Sequence, residues 1–388
     1  MIISTKGFCA DPDPSDIPGT ESILWSHIRS GGSVVNLVEN TDATDGGIEK
    51  LLGGMKDVSF YRLKRGGTGL ISADDIVLIK INSQWSERGS TNTDLLKGLI
   101  GYILQHPDGF KGEIIVVDNG QGNMGSASHV GKLDWDLPNS KDIKQNTQLV
   151  IDAFADQGYK VSGVLWDKLT QKSVRDFDTG DNSDGFVVEP VVKSNGVRIS
   201  YPKFTTKYGS ALSLKKGLWD SLAKKFISDK LKIINVPVLK SNNFNQVDGA
   251  LSSYLGTCSN ALTDSSVQKN INQGGLGEQM INIRFPILNI LDMIYIAPER
   301  GPVSFYKGAL QKNMIAASTD PVALDYWAVK NVLYPAASGQ KQALLLDPDN
   351  KNQGSFGYWL GKCLLELNKV GIPATMNKDF IKLTIITG

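Results

Sequence analysis

Apolar residues in this chain gather into short, near-continuous runs that end at polar groups. Ser33-Val34-Val35-Asn36-Leu37-Val38 is one such run. Asp75 to Asn82, Glu113 to Asp118, Ile287 to Asp292 and Met314 to Ser318 are others, and the longest runs from 231 to 239 and halts at Lys240. Near-continuous apolar runs of this length, without alternation, mark strands buried on both faces, as in parallel sheets. The intervening segments carry a different period. From Asn92 to Gln105, the residues Leu95, Leu96, Leu99, Ile100, Ile103 and Leu104 recur at helical spacing. Asn146 to Gln157 repeats the pattern with Leu149, Val150, Ala153 and Phe154 inward. Asp45 to Leu52 starts a short helix, Leu214 to Lys230 predicts another, and Asp320-Pro321 opens one with proline in its first turn. Two more helices are expected near 340 and over 356–370. Strand, helix, strand in this order predicts right-handed βαβ units.

The expected fold is therefore α/β: a mostly parallel, Rossmann-like sheet flanked by helices. Residues 160–204 break the pattern. Short β-like pieces (Val161 to Trp166, Phe186 to Val188, Val197 to Tyr201) lie between turn clusters, which predicts a small antiparallel insert. The implied division is an N-terminal α/β lobe at 1–158, an antiparallel β insert at 159–205 and a C-terminal α/β lobe at 206–388. A Gly/Ser/Asn-rich loop at 119–140 interrupts the first lobe.

In open α/β sheets, ligands bind beyond the carboxyl ends of the strands. The predicted strands end in Lys80-Ile81-Asn82, Asp118-Asn119, Leu239-Lys240 and Asp292. If these strands share one sheet, the polar ends converge. Lys80, Lys240 and Asp118 are then the candidate catalytic groups, since a lysine in a dry cleft has its pKa lowered and can trade protons. Asn82, Asn119 and Asn242 are candidates for holding substrate. Asp292 and Asp320 are candidate ligands for a divalent metal, the one cofactor the sequence suggests. Asp320 equally suits a helix N-cap before Pro321, and Asp325 lies slightly more than a turn further along.

Composition narrows the field. The 388 residues carry 41 Lys+Arg against 40 Asp+Glu, so nothing in the net charge steers the chain to nucleic acid. Cys9, Cys258 and Cys363 are far apart, which excludes an iron–sulfur cluster or structural zinc built from local thiolate pairs. Gly120-x-Gly122-x-x-Gly125 matches the dinucleotide fingerprint in letters, but it runs into Ser126-Ala127-Ser128-His129 rather than a helix. A nicotinamide or flavin dinucleotide is not expected. Of the three histidines, only His129, in the long loop, is a catalytic candidate. No run is long enough to span a membrane and no signal peptide is visible, so the expectation is a soluble protein, cytoplasmic unless a leader has been removed.

Several segments in order resemble the prokaryotic domain-of-unknown-function family 362. Val77-Leu78-Ile79-Lys80-Ile81-Asn82 resembles its VLIKPN strand, with Ile81 where proline is usual. Ser90 to Leu96 resembles its T-x-P-E-L-V helix start, and Ile115 to Asp118 its V-V-V-G-D strand. Ile233 to Lys240 is similar to I-N-V-P-K-L-K, and Gly249-Ala250-Leu251 with Leu255-Gly256 to G-A-L-K-N-L-x-G. Ile290-Leu291-Asp292, Gly301-Pro302 and Ser318 to Asp325 complete the set, which covers roughly 74–335. The chain departs from the family at Lys240-Ser241-Asn242, where Lys-x-His is typical, and at Ser252-Ser253, which replaces Lys-Asn. It also lacks the ferredoxin-like module of many members. The resemblance implies a two-lobed α/β fold with a cleft, and no particular reaction. The expected function is an enzyme acting on a small polar or anionic molecule. A non-catalytic binding protein that has lost family site residues is the alternative.

Overall fold

The computed structural model describes residues 17–20, 32–120, 131–301, 308–339 and 342–387. Its centre is a mixed sheet built from β1 (Ser33–Glu39), β2 (Ile76–Ile81), β3 (Glu113–Asp118) and β4 (Val161–Leu165). A separate antiparallel sheet follows: β5 (Ser173–Val174), β6 (Gly185–Val192), β7 (Arg198–Thr205), β8 (Ala211–Ser213), β9 (Gly217–Asp220) and β10 (Lys225–Ile227). The chain then returns to the central sheet with β11 (Leu231–Val236), β12 (Val238–Asn242), β13 (Gln246–Asp248), β14 (Leu288–Gly301), β15 (Leu310–Ser318) and β16 (Ile381–Ile385).

The central order is β16-β1-β15-β14-β11-β2-β3-β4, with β12 and β13 branching from β14. Strands β14, β11, β2, β3 and β4 are mutually parallel, while β15 runs antiparallel to both β14 and β1. All six residues in each of β2, β3 and β11 are buried, as the near-continuous apolar runs predict. Successive side chains of β2 serve opposite faces. Val77, Ile79 and Ile81 pack with Leu95, Leu99 and Ile103 of the helix Thr93–Leu104. Ile76 and Leu78 join the other core with Phe186, Tyr201 and Phe204 of the antiparallel sheet and Trp359 of the helix Phe356–Lys369. The molecule is thus α/β, with a mostly parallel sheet flanked by helices and a small antiparallel sheet laid against one side.

Three local expectations need correction. Val161–Leu165 does not belong to the insert; it is the edge strand of the parallel sheet, paired with β3 from Ile114↔Val161 to Asp118↔Leu165. The predicted helix from Leu214 to Lys230 is instead the β9–β10 hairpin, registered at Phe226↔Trp219 and Ile227↔Leu218. Gly217 and Lys224 both adopt positive φ, and the Asp220 carboxylate accepts hydrogen bonds from the N–H groups of Leu222 and Ala223, so a turn replaces the helical middle. The run over 231–239 is two strands, divided at Pro237.

Arg284 fastens the hairpin region to the rest. Its fully buried guanidinium donates to the carbonyls of Leu214, Lys215, Ser228 and Leu231. It also donates to the Ser228 hydroxyl at 3.1 Å, so the residue works as a structural clamp.

Candidate functional site

The division at Pro237 opens the cleft. Up to Val236, β11 lies between β2 and β14, and Val236 is registered with Ile81. The Pro237 carbonyl turns to β14, where it accepts from the Asp292 N–H at 2.9 Å. Beyond Pro237, β12 pairs with β14 and β13 and no longer with β2. The segment after β2 fills the lost pairing through side chains. Asn82 accepts a hydrogen bond at Oδ1 from the Val238 N–H (2.8 Å), and Thr91 donates from Oγ1 to the Val236 carbonyl (2.8 Å). Lys240 Nζ donates to the Gly89 carbonyl at 3.1 Å. A cleft of about 370 Å³ lies above this junction. It sits toward the small end of typical ligand pockets, roughly 300–1,000 Å³.

Lys80, Lys240, Asp118, Asn82 and Asn242 all line this cleft. Lys80, on the strand face carrying Ile76 and Leu78, is 2% exposed. Its ammonium donates to Asp118 Oδ1 (2.6 Å), the Ile81 carbonyl (2.8 Å) and Ser253 Oγ (3.2 Å). Three acceptors match the three protons of an ammonium. The other carboxylate oxygen of Asp118 accepts from the N–H and the hydroxyl of Ser83, at 2.7 and 2.8 Å. This pair is therefore complete within the protein.

Lys240 stands 3.8 Å from Asp248 Oδ2, its partner across the β12–β13 hairpin. Burial pushes the Lys240 amine below the ordinary lysine range. The carboxylates of Asp248 and Asp118 work against that shift, and the neighbouring Lys80 charge reinforces it. Asn242 is committed to the same hairpin. Its amide N–H group reaches both oxygens of Asp248 (3.2 and 3.1 Å), and its Oδ1 accepts from the N–H groups of Phe244 and Asn245.

Asn119 does not line the cleft. It is buried, and its amide donates to the Cys258 carbonyl at 3.0 Å, which ties the end of β3 to the turn that follows Gly256.

The two aspartates expected to bind metal also lie elsewhere. Asp292 accepts from the Asn92 N–H at Oδ2 (2.8 Å) and the Ile294 N–H at Oδ1 (3.1 Å). It thereby locks the start of the helix Thr93–Leu104, which Asn92 itself caps, onto β14. Asp320 caps the helix Pro321–Ala328 through Oδ1, while its Oδ2 accepts from Ser33 Oγ and the Thr375 N–H. Burial raises both carboxyls to about 6. Their oxygens are already satisfied by donors within the fold, which is how buried carboxylates serve structure. Asp118 and Asp248 are the carboxylates among the cleft-lining residues, and each is tied to a lysine. Among the described residues, no three His, Cys, Asp or Glu side chains gather to hold a metal. His129, Gly122 and Gly125 lie outside the described residues, as does Cys9, while Cys258 and Cys363 are buried free thiols.

Several site residues carry signals that strand-end reasoning passes over. A Cβ on Gly256 would come within 2.8 Å of Lys80 Cε and 3.0 Å of Asp118 Oδ1, so the ion pair occupies the space a side chain would need. A Cβ on Gly249 would lie 2.4 Å from Asp325 Oδ1. That carboxylate accepts from the N–H groups of Ala250 and Leu251 (2.7 and 3.0 Å), and burial raises it to about 7. The glycines of the Gly-Ala-Leu and Leu-Gly motifs thus let backbone close onto buried charge. Trp85 and Phe244, the aromatic members of the lining, come from the segment after β2 and from the β12–β13 turn.

No curated protein matches this chain, and no solved structure matches it. No helix among the described residues is long and apolar enough to cross a membrane. Residues 221–330, which supply Lys240, Asp248, Ser253 and Gly256 to the cleft, match the family described as domain of unknown function (DUF362).

Proposed function

We propose that the chain is an enzyme acting on a small polar molecule bound in the cleft beyond Pro237, with Lys240 as the group that takes up and returns a proton. The observation that carries this reading is an amine buried in the wall of an open cleft. Desolvation disfavours its charged form, and the Asp248 carboxylate stands at 3.8 Å, just outside hydrogen-bonding length. Such an amine is a stronger candidate base near neutral pH than any surface lysine, whose ordinary pKa is about 10.4. The Lys80–Asp118 pair then acts as a fixed wall beside it, since both partners have their hydrogen bonds filled.

The test is competitive acylation of lysines across a pH series, read residue by residue by mass spectrometry. Lys240 is expected to titrate below the other lysines. Lys240→Met, folded by circular dichroism, is expected to abolish any turnover found in a panel of small polar metabolites. Titration of Lys240 with the surface lysines would overturn the reading.

Binding without turnover is the second reading, and Asn242 favours it. Where the family typically places a histidine, this chain has an amide engaged with Asp248 and the turn backbone. Under that reading the Lys240→Met protein retains ligand, and no panel compound is converted.

A further inference from the structure

The lining of the cleft also specifies the kind of molecule it suits. Its charged members are Lys80, Asp118, Lys240 and Asp248, two of each sign. Lys80 and Asp118 are joined at 2.6 Å, and Lys240 sits beside Asp248. An incoming anion would meet no uncompensated cation and would have to break the Lys80 pair to gain one. Amides dominate the rest of the wall. The Gln84 and Gln268 side chains have no protein partner among the described residues, and the same holds for the Asn82 amide nitrogen, whose oxygen is engaged by Val238. An amide offers donors and acceptors side by side, the pairing that a hydroxyl, itself both donor and acceptor, requires. At the rim, Phe244 is 75% exposed. A ring that large left open to water beside a polar cleft offers a flat apolar platform, and Trp85 adds a second aromatic group.

We infer that the ligand of this cleft is a neutral, hydroxyl-rich molecule with one apolar face, a sugar of one or two rings. The hydroxyl edge would meet Gln84, Gln268 and Asn82, and the C–H face would lie on Phe244. The inference rests on the reading of this cleft as the ligand site.

The experiment is saturation-transfer NMR and titration calorimetry on the full chain. The probes are N-acetylglucosamine, maltose, adenosine, citrate and inorganic phosphate. A neutral saccharide is expected to bind with saturation strongest on its ring C–H protons. Its affinity is expected to be unchanged when salt rises from about 0.05 to about 0.5 M, because no net charge is neutralised. Phe244→Ala and Gln268→Ala, both outside the core, are each expected to weaken it roughly three- to tenfold.

Binding of phosphate or citrate that fades with salt would overturn the inference. So would binding of adenosine but no saccharide, or saccharide binding indifferent to both substitutions. If an anion binds and Lys240→Met removes it, the cleft reading stands and the sugar fails. If no probe binds while Lys240 titrates low, the sugar again fails alone. If no probe binds and Lys240 titrates as a surface lysine, both fail.

Discussion

Asp118→Ala is the most direct probe of the cleft wall. Lys80 would keep the Ile81 carbonyl and the Ser253 hydroxyl, but it would lose the one carboxylate that it contacts at 2.6 Å. Its side chain is 2% exposed and that of Asp118 is 8%, so bulk water replaces little of the lost interaction. Removing one partner of a buried pair costs about 3–5 kcal/mol. The cleft beside Asp118 admits some solvent, which places the expected loss near the lower bound, about 3 kcal/mol. Lys80→Met should cost less, about 1.5–3 kcal/mol for a lost charge-assisted bond, because Asp118 would still accept from the Ser83 N–H and hydroxyl. The double variant Lys80→Met/Asp118→Leu removes both charges and is expected to be more stable than the sum of the single losses implies. Equilibrium urea unfolding, with the slope unchanged across the set, reads all three. Two outcomes would refute the reasoning: a loss below about 1 kcal/mol for Asp118→Ala, or single effects that add to the double within about 0.3–0.5 kcal/mol.

Gly256→Ala should cost about 1–3 kcal/mol by pressing a methyl group onto Lys80 and Asp118. Gly101→Ala, in the last turn of the helix Thr93–Leu104 with nothing within 4 Å of the added carbon, should stabilise by about 0.5 kcal/mol in the same denaturation assay. Thermal stability should fall as pH rises from 5 to 7.5. Asp75, Asp292 and Asp320 are raised to about 6 and Asp325 to about 7, chiefly by burial, so the folded chain holds protons there that the unfolded chain has released. That contribution is fully present below about 4 and is lost through the folded values. Asp42 and Asp181, lowered to about 2, act only at more acidic pH, and the lowered Lys240 acts in the opposite sense on the alkaline side. A flat or rising melting curve over that window would sink the argument.

The parallel core was legible because double-sided burial leaves a one-dimensional trace. Ile76 to Ile81 and Glu113 to Asp118 have no solvent face, so their runs are near-continuous, with Lys80 the one charged residue inside the first. The β9–β10 hairpin left a weaker trace. Its strands are three and four residues long and partly exposed, and the lysines around them suit a solvated helix equally well. What decides the matter is pairing between Trp219 and Phe226 and the positive φ of Gly217 and Lys224, and these are set by contacts across the turn.

The same distinction runs through the site. Residues at the ends of buried strands were expected to converge, and Lys80, Asp118, Lys240 and their asparagine neighbours Asn82 and Asn242 line one cleft. Asp292 ends an apolar run in just the same way, yet its strand continues as β14 to Gly301 and its carboxylate is spent on Asn92 and Ile294. A charge that stops an apolar run can face a crevice or satisfy backbone inside the fold. The difference lies in whether a neighbouring strand departs beside it. Beside Lys240 one does: the pairing of β11 with β2 ends at Val236, and β12 runs on with β14. The break in the run between Val236 and Val238, rather than the lysine at its end, marks where β12 leaves β2.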